Sequence, residues 1–191
     1  GPMIERSIVT DNFISIENDI SATLIITQEE TFSILANGQA NILDLIDFKV
    51  ESNKLNIGFK QACVNSNFDS LLIHISLPTL NSLQINGSGQ AIIENTLNCS
   101  QLELDISGSG NIKASVNASK NLKGNISGSG TIELYGNTPE ASFDISGSGE
   151  IHGYDFQTLK SSINISGSGD AELFATESLN ADISGSGDVQ Y

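Results

Sequence analysis

The chain has 191 residues, enough for one domain with a sizeable core, and its 23 acidic and 8 basic side chains give a net charge of −15. A field of that sign repels phosphate backbones and anionic bilayers, which argues against binding to nucleic acid or a charged membrane surface. No apolar run approaches the roughly 20 residues of a membrane-spanning helix, so no transmembrane segment is expected.

Gly1-Pro2-Met3 reads as a cloning remnant, which leaves a native signal or lipid anchor open. Residues 4–80 read as a leading, capping part of the same domain as residues 81–191. Phe13-Ile14-Ser15-Ile16 and Ser21 to Ile26 alternate as strands around a turn at Glu17-Asn18-Asp19. Asn41 to Ile46 reads as one helical turn or two. Phe48 to Glu51 and Lys54 to Ile57 form a hairpin pattern across Ser52-Asn53. Leu71 to Leu77 alternates as a strand that Pro78 ends. Cys63 and Cys99 fit no zinc spacing; they read either as a disulfide in an exported protein or as two independent thiols.

From residue 81 to 191 the tripeptide Gly-Ser-Gly recurs six times, at 87–89, 108–110, 128–130, 147–149, 167–169 and 185–187. Successive copies lie 21, 20, 19, 20 and 18 residues apart. A fixed period of about 20 residues is the mark of a solenoid, in which each repeat buries its apolar face only against its neighbours. The residue two before each motif is isoleucine: Ile85, Ile106, Ile126, Ile145, Ile165, Ile183. The other apolar columns stand at even offsets from it, and the odd offsets are mostly polar. Period two is a strand with one face inward. The fold expected is all-β, a β-solenoid of about six coils with an irregular, β-rich leading part. By the same parity both motif glycines point inward at a narrow corner and the serine points out. The stretches between coils read as irregular surface arcs. Tyr135, Tyr154, Phe156 and Phe174 lie in or beside them, either covering the core or forming a sugar platform.

The ordered passages F-I-S-I, T-L-I-I-T-Q, I-L-A-N-G-Q-A-N-I-L-D-L-I, V-E-S-N-K-L-N-I and I-S-L-P-T-L-N-S-L-Q-I-N-G-S-G, followed by repeated I-S-G-S-G strands, span about 8–191. Together they resemble the bacterial "putative auto-transporter adhesin, head GIN" domain. The resemblance implies a single-stranded right-handed β-helix in an exported or cell-surface protein. It brings no catalytic residues.

The candidate chemistry is sparse. Lys113, Lys120, Lys123 and Lys160 are the only basic residues of the repeats, and His74 and His152 read as isolated. Six copies of a motif serine without a paired base argue against a nucleophile. The column before the motif isoleucine reads Gln84, Asp105, Asn125, Asp144, Asn164, Asp182, acid alternating with amide from the second coil on. Coils about 4.8 Å apart would set like charges against each other, and alternation avoids this. After the motif stand Glu150, Asp170 and Asp188 in three consecutive coils. They form either a solvated acidic edge or a calcium site; no other cofactor is expected. The function read from all this is a non-enzymatic extracytoplasmic module for surface adhesion or envelope structure, at the cell surface or in the periplasm. Its partner would be an unidentified surface protein or glycan, with oligomerisation through coil ends or faces left open. The alternatives are a carbohydrate-binding module and, behind it, a polysaccharide lyase or hydrolase.

Overall fold

The computed structural model describes residues 1–61 and 71–191. In chain order the elements are β1 (Met3–Ile8), β2 (Ser15–Asn18), β3 (Thr23–Gln28), β4 (Ser33–Gln39), the single helical turn α1 (Ala40–Leu43), β5 (Ile46–Glu51), β6 (Lys54–Phe59), β7 (Leu72–Leu77) and β8 (Ser82–Gly87). Then come β9 (Gln90–Gly108), β10 (Asn111–Gly128), β11 (Thr131–Gly147), β12 (Glu150–Gly167), β13 (Asp170–Gly185) and β14 (Val189–Gln190). The fold is all-β, a β-solenoid. Its five long strands β9–β13 each run from one Gly-Ser-Gly to the next and stack in parallel on their neighbours. Six motif copies enclose five such coils.

The register is that of the repeat. Ile85, Ile106, Ile126, Ile145, Ile165 and Ile183 pair in sequence, and the first five are at most 2% exposed. Burying each of these five side chains against its neighbouring coils gives its rung about 1.5–3 kcal/mol of apolar driving force. Size is matched between coils. Leu104, Gly124 and Phe143 follow one another in one inward column, and a Cβ on Gly124 would lie 2.9 Å from the Phe143 ring.

The stretches expected to be irregular keep parallel pairing through most of their length. The differences in repeat length are absorbed there as register shifts, for example between Asn117 and Asn121 and between Gly153 and Gln157. Arc backbone groups thereby find partners in the next coil. At the corner the same holds: Ser129 N–H donates to Gly108 O at 2.8 Å, and Thr131 N–H to Gly110 O at 3.1 Å.

The leading part joins the solenoid out of chain order. β2 lies between β6 and β8, parallel to both, and β3 lies between β7 and β9, also parallel to both. So 15–28 forms a coil inserted between β6 and β7 on one side and the first repeat on the other. Beyond it the pairing turns antiparallel: β4 on β7, β1 on β4, and β5 on β6. With α1 these strands close that end. The Ser52-Asn53 hairpin is present, both residues in the left-handed region at φ 51° and 62°. The first turn lies later than expected, because Glu17 and Asn18 belong to β2. β1 and β4 are additional to the strands expected from the sequence, and Met3 opens β1.

Candidate functional site

The corner chemistry fixes which side chains face solvent. The first motif glycine has positive φ in every copy, +87° at Gly87 and between +123° and +142° in the other five. A Cβ on Gly128 would meet the carbonyl oxygen of Gly108 at 2.3 Å. So this glycine faces the neighbouring coil's backbone, where inward packing was expected. The second glycine does point inward: a Cβ on Gly130 would lie 2.5 Å from both Ile106 Cγ2 and Gly110 O. The serine between them is exposed.

Outward residues on the strand entering each corner make one continuous polar surface. Its central column is the acid–amide series, and register extends that series through eight coils: Asn56, Glu17, Gln84, Asp105, Asn125, Asp144, Asn164, Asp182. Acid and amide alternate without exception. Asn125 Nδ2 donates to Asp105 Oδ1, and Asn164 Nδ2 to Asp144 Oδ1 at 2.9 Å. At the leading end Asn86 Nδ2 donates to Asp19 Oδ1 at 2.6 Å and Lys54 pairs with Glu17 at 2.7 Å. Burial pushes the Asp105 carboxyl above its ordinary pKa, against the opposing Asn125 hydrogen bond. Two residues on, the parallel column reads Ser107, Ser127, Ser146, Ser166, Ser184, all exposed. The two columns line a shallow groove of about 680 Å³ along the solenoid axis. On its other side stand Glu103, Lys123, Ser142, Ser162 and Asn180 in register, Lys123 paired with Glu103 at 3.0 Å.

The second polar edge holds the calcium candidates. Glu150 and Asp170 are register partners, and Asp188 follows, its N–H donating to Asp170 Oδ1 at 2.9 Å. His152 is not isolated. Its Nδ1 lies 3.0 Å from Glu172 and its Nε2 3.2 Å from Glu150. Burial works against the imidazolium, but Glu172 and then Glu150 outweigh it and raise the pKa. Glu150 and Asp170 are thus already engaged, and among the described residues no three His, Cys, Asp or Glu side chains converge as a metal site. One coil earlier the Tyr135 hydroxyl and then Lys113 hold Glu133 below the usual carboxylate range. His74 lies in β7, opposite Ile25 and Leu35.

The arc aromatics divide. Phe156 is buried at 1% exposure and covers the core, while Tyr154 and Phe174 are about half exposed. Cys99 is half buried, and burial raises its thiol pKa; Cys63 lies outside the described residues.

This is a parallel β-solenoid whose chemistry is spread along its surface in ladders; Glu150, His152, Asp170, Glu172 and Asp188 together line one small pocket of about 200 Å³. The chain belongs to the family described as "Putative auto-transporter adhesin, head GIN domain", which matches residues 12–191. Its solved structural neighbours include a "putative adhesin" from Bacteroides fragilis, 21% identical with a TM-score of 0.86 over 99% of this chain and 96% of that one. A "putative lipid binding protein" from Parabacteroides distasonis is 26% identical, TM-score 0.75, over 100% of this chain and 96% of that one. A "putative adhesin" from Parabacteroides merdae is 21% identical, TM-score 0.69, with 100% and 96% covered. No curated protein matches the sequence at a significant level. Among the described residues, no helix is long and apolar enough to cross a membrane.

Proposed function

We propose that the chain is a non-enzymatic extracytoplasmic adhesion module that meets its target through the flat polar face around the acid–amide ladder. The observation that carries the reading is the continuity of that face. Small polar and charged side chains repeat in register over five coils, and Asn-to-Asp hydrogen bonds hold the central column. A rigid array of this kind presents many equivalent contacts at low ordering cost, which suits adhesion through summed weak interactions. The family description and the similarly described neighbours support the same reading. The equivalence of the six motif serines supports a non-catalytic role, since a reaction centre needs one singular constellation.

The test is adhesion of protein-coated beads to bacterial and host-cell surfaces. Coated beads should adhere, and replacing Ser127 and Ser146 together by Arg should abolish adhesion. The same change at Asn98 and Asn117, on a different ladder, should not. Equal adhesion by both variants would sink the assignment of this face.

A further inference from the structure

The acid–amide column is more regular than stacking alone requires. Avoiding like-charge contact needs only that acids not be neighbours, which serine or threonine would achieve as well. Instead every second coil carries an amide, and each of two amides donates to the acid before it: Asn125 to Asp105 and Asn164 to Asp144. The hydrogen-bonded unit is therefore two coils, and it repeats every ~9.6 Å along the axis. Among the described residues, the second carboxylate oxygens of Asp105 and Asp144 and the hydroxyls of Ser107, Ser127, Ser146, Ser166 and Ser184 have no protein partner. All of them border the same groove. Between the acid–amide and serine columns the strand advances about 6.6 Å.

We infer that this groove binds a linear, uncharged, hydroxyl-rich polymer, a neutral polysaccharide, laid along the solenoid axis and gripped once every two coils. The inference rests on the adhesion reading and names its ligand class. A carboxylate oxygen and an amide oxygen accept from sugar hydroxyls, the amide N–H donates to them, and serine does both. An extended glycan with two-fold symmetry turns the same edge of every second ring to one side, which is the periodicity of the hydrogen-bonded unit. The isoleucines between the two columns, Ile106, Ile126, Ile145 and Ile165, are at most 2% exposed, so a ligand anchored by large apolar groups finds no side-chain pocket there. The carboxylates and the net charge of −15 reject anionic polymers. The neighbouring column carries both signs, Glu103 paired with Lys123, so the face is not a uniform polycation trap. Without stacking platforms each sugar is held weakly, and affinity comes from length: each further engaged unit adds avidity.

Affinity electrophoresis of the intact chain tests this, with soluble linear glucan, glucomannan and xylan in the gel and with polygalacturonate and poly-lysine as charged arms. At least one neutral polymer should retard the protein, with little change at about 0.5 M salt, where long-range charge effects are screened. Glucose and disaccharides should compete at least 100-fold more weakly than the polymer, as avidity over several units requires. Polygalacturonate should not retard it. The Ser127→Arg, Ser146→Arg variant should lose retardation while its circular dichroism melt stays unchanged. Should that variant unfold, Asn125→Ser and Asn164→Ser, which remove the amides at constant charge, replace it and should weaken retardation severalfold. Retardation by no neutral polymer, full competition by monosaccharide, or salt-sensitive capture by poly-lysine alone would overturn the inference. Beads that adhere through this face while no neutral polymer binds would leave the adhesion reading standing and remove the ligand class.

Discussion

Gly128 and Gly130 exclude side chains for different physical reasons. Gly128 sits at φ +128°, where an L-residue is strained, and its Cβ would strike a backbone carbonyl that cannot rotate away. Gly130 has no such φ, but its Cβ would overlap Ile106 in the core. Gly130→Ala should cost about 1–3 kcal/mol through overpacking, and Gly128→Ala at least as much. Ser129→Ala, exposed between them, should stay within about 0.5 kcal/mol. Urea melts of the three give the ranking, and a serine change that costs more than either glycine change would refute the corner geometry. The isoleucines make a second series. Ile126→Ala and Ile145→Ala should each cost about 2–5 kcal/mol as buried truncations, whereas Ile183, 41% exposed, should cost clearly less. Gly124 is the informative case in the core. Gly124→Ala should destabilise although its backbone is unstrained, and Phe143→Leu in the same chain should recover part of the loss. Additive losses in that double-mutant cycle would mean the two residues do not share one space.

Between neighbouring elements, the ladders decide how tightly one coil holds the next. His152 on β12 lies against Glu172 on β13, with Glu150 on its other nitrogen; Glu133, beside it on β11, is engaged by Tyr135 and Lys113. Its folded pKa is raised, so its contribution is fully present below the unfolded value of about 6.5 and is lost as pH rises through the folded value. Asp105 on β9 is also raised, and for an acid that reverses the usual sign: burying its charge destabilises above the folded pKa, and protonation relieves the cost as pH falls. Stability measured from pH 8 down to pH 5.5 should therefore rise through His152, and His152→Gln should flatten that slope. An unchanged slope in the variant would show that the contacts carry no net coupling. This scale also shows what the sequence makes legible. Columns at constant spacing reveal themselves, so the isoleucine core, the corner serines and six members of the acid–amide series could be read from period and parity. The insertion of β2 between β6 and β8 could not, because register between segments out of chain order leaves no periodic trace. There Asn18 occupies the isoleucine column, fully buried and bonded to Ile20 O at 3.0 Å, and Ile20 and Ala22 stand where the motif has glycines. Those replacements hid the coil, and with it Glu17 and Asn56. The His152–Glu172 pair was within reach: the two are 20 residues apart, one repeat.

For the molecule as a whole, charge is the term that local pairing leaves unbalanced. Of the described lysines and arginine, Arg6, Lys49, Lys54, Lys113 and Lys123 each sit against a carboxylate, yet the chain retains a net charge of −15. A solenoid holds that charge on a long surface where equivalent acids recur at coil spacing, so repulsion opposes the folded state more than the expanded one. Alternation with amides removes it from the central column, but Glu150, Asp170 and Asp188 remain stacked without an amide between them. Two remedies exist for such a row, and they differ in concentration dependence. Screening by monovalent ions acts over tens to hundreds of millimolar, as the Debye length shrinks from about 10 Å at 0.1 M toward 3 Å at 1 M. A calcium ion bridging the row would act saturably, at about millimolar or below. One oxygen of Glu150 is already drawn to His152 and one of Asp170 accepts the Asp188 N–H, so a bridging ion would have to compete for these or rely on the remaining oxygens. The melting temperature should accordingly climb gradually with sodium chloride, and calcium at constant ionic strength should add nothing further. A saturable calcium shift that disappears in Asp170→Asn would reverse this reading and make the acidic edge a cation site.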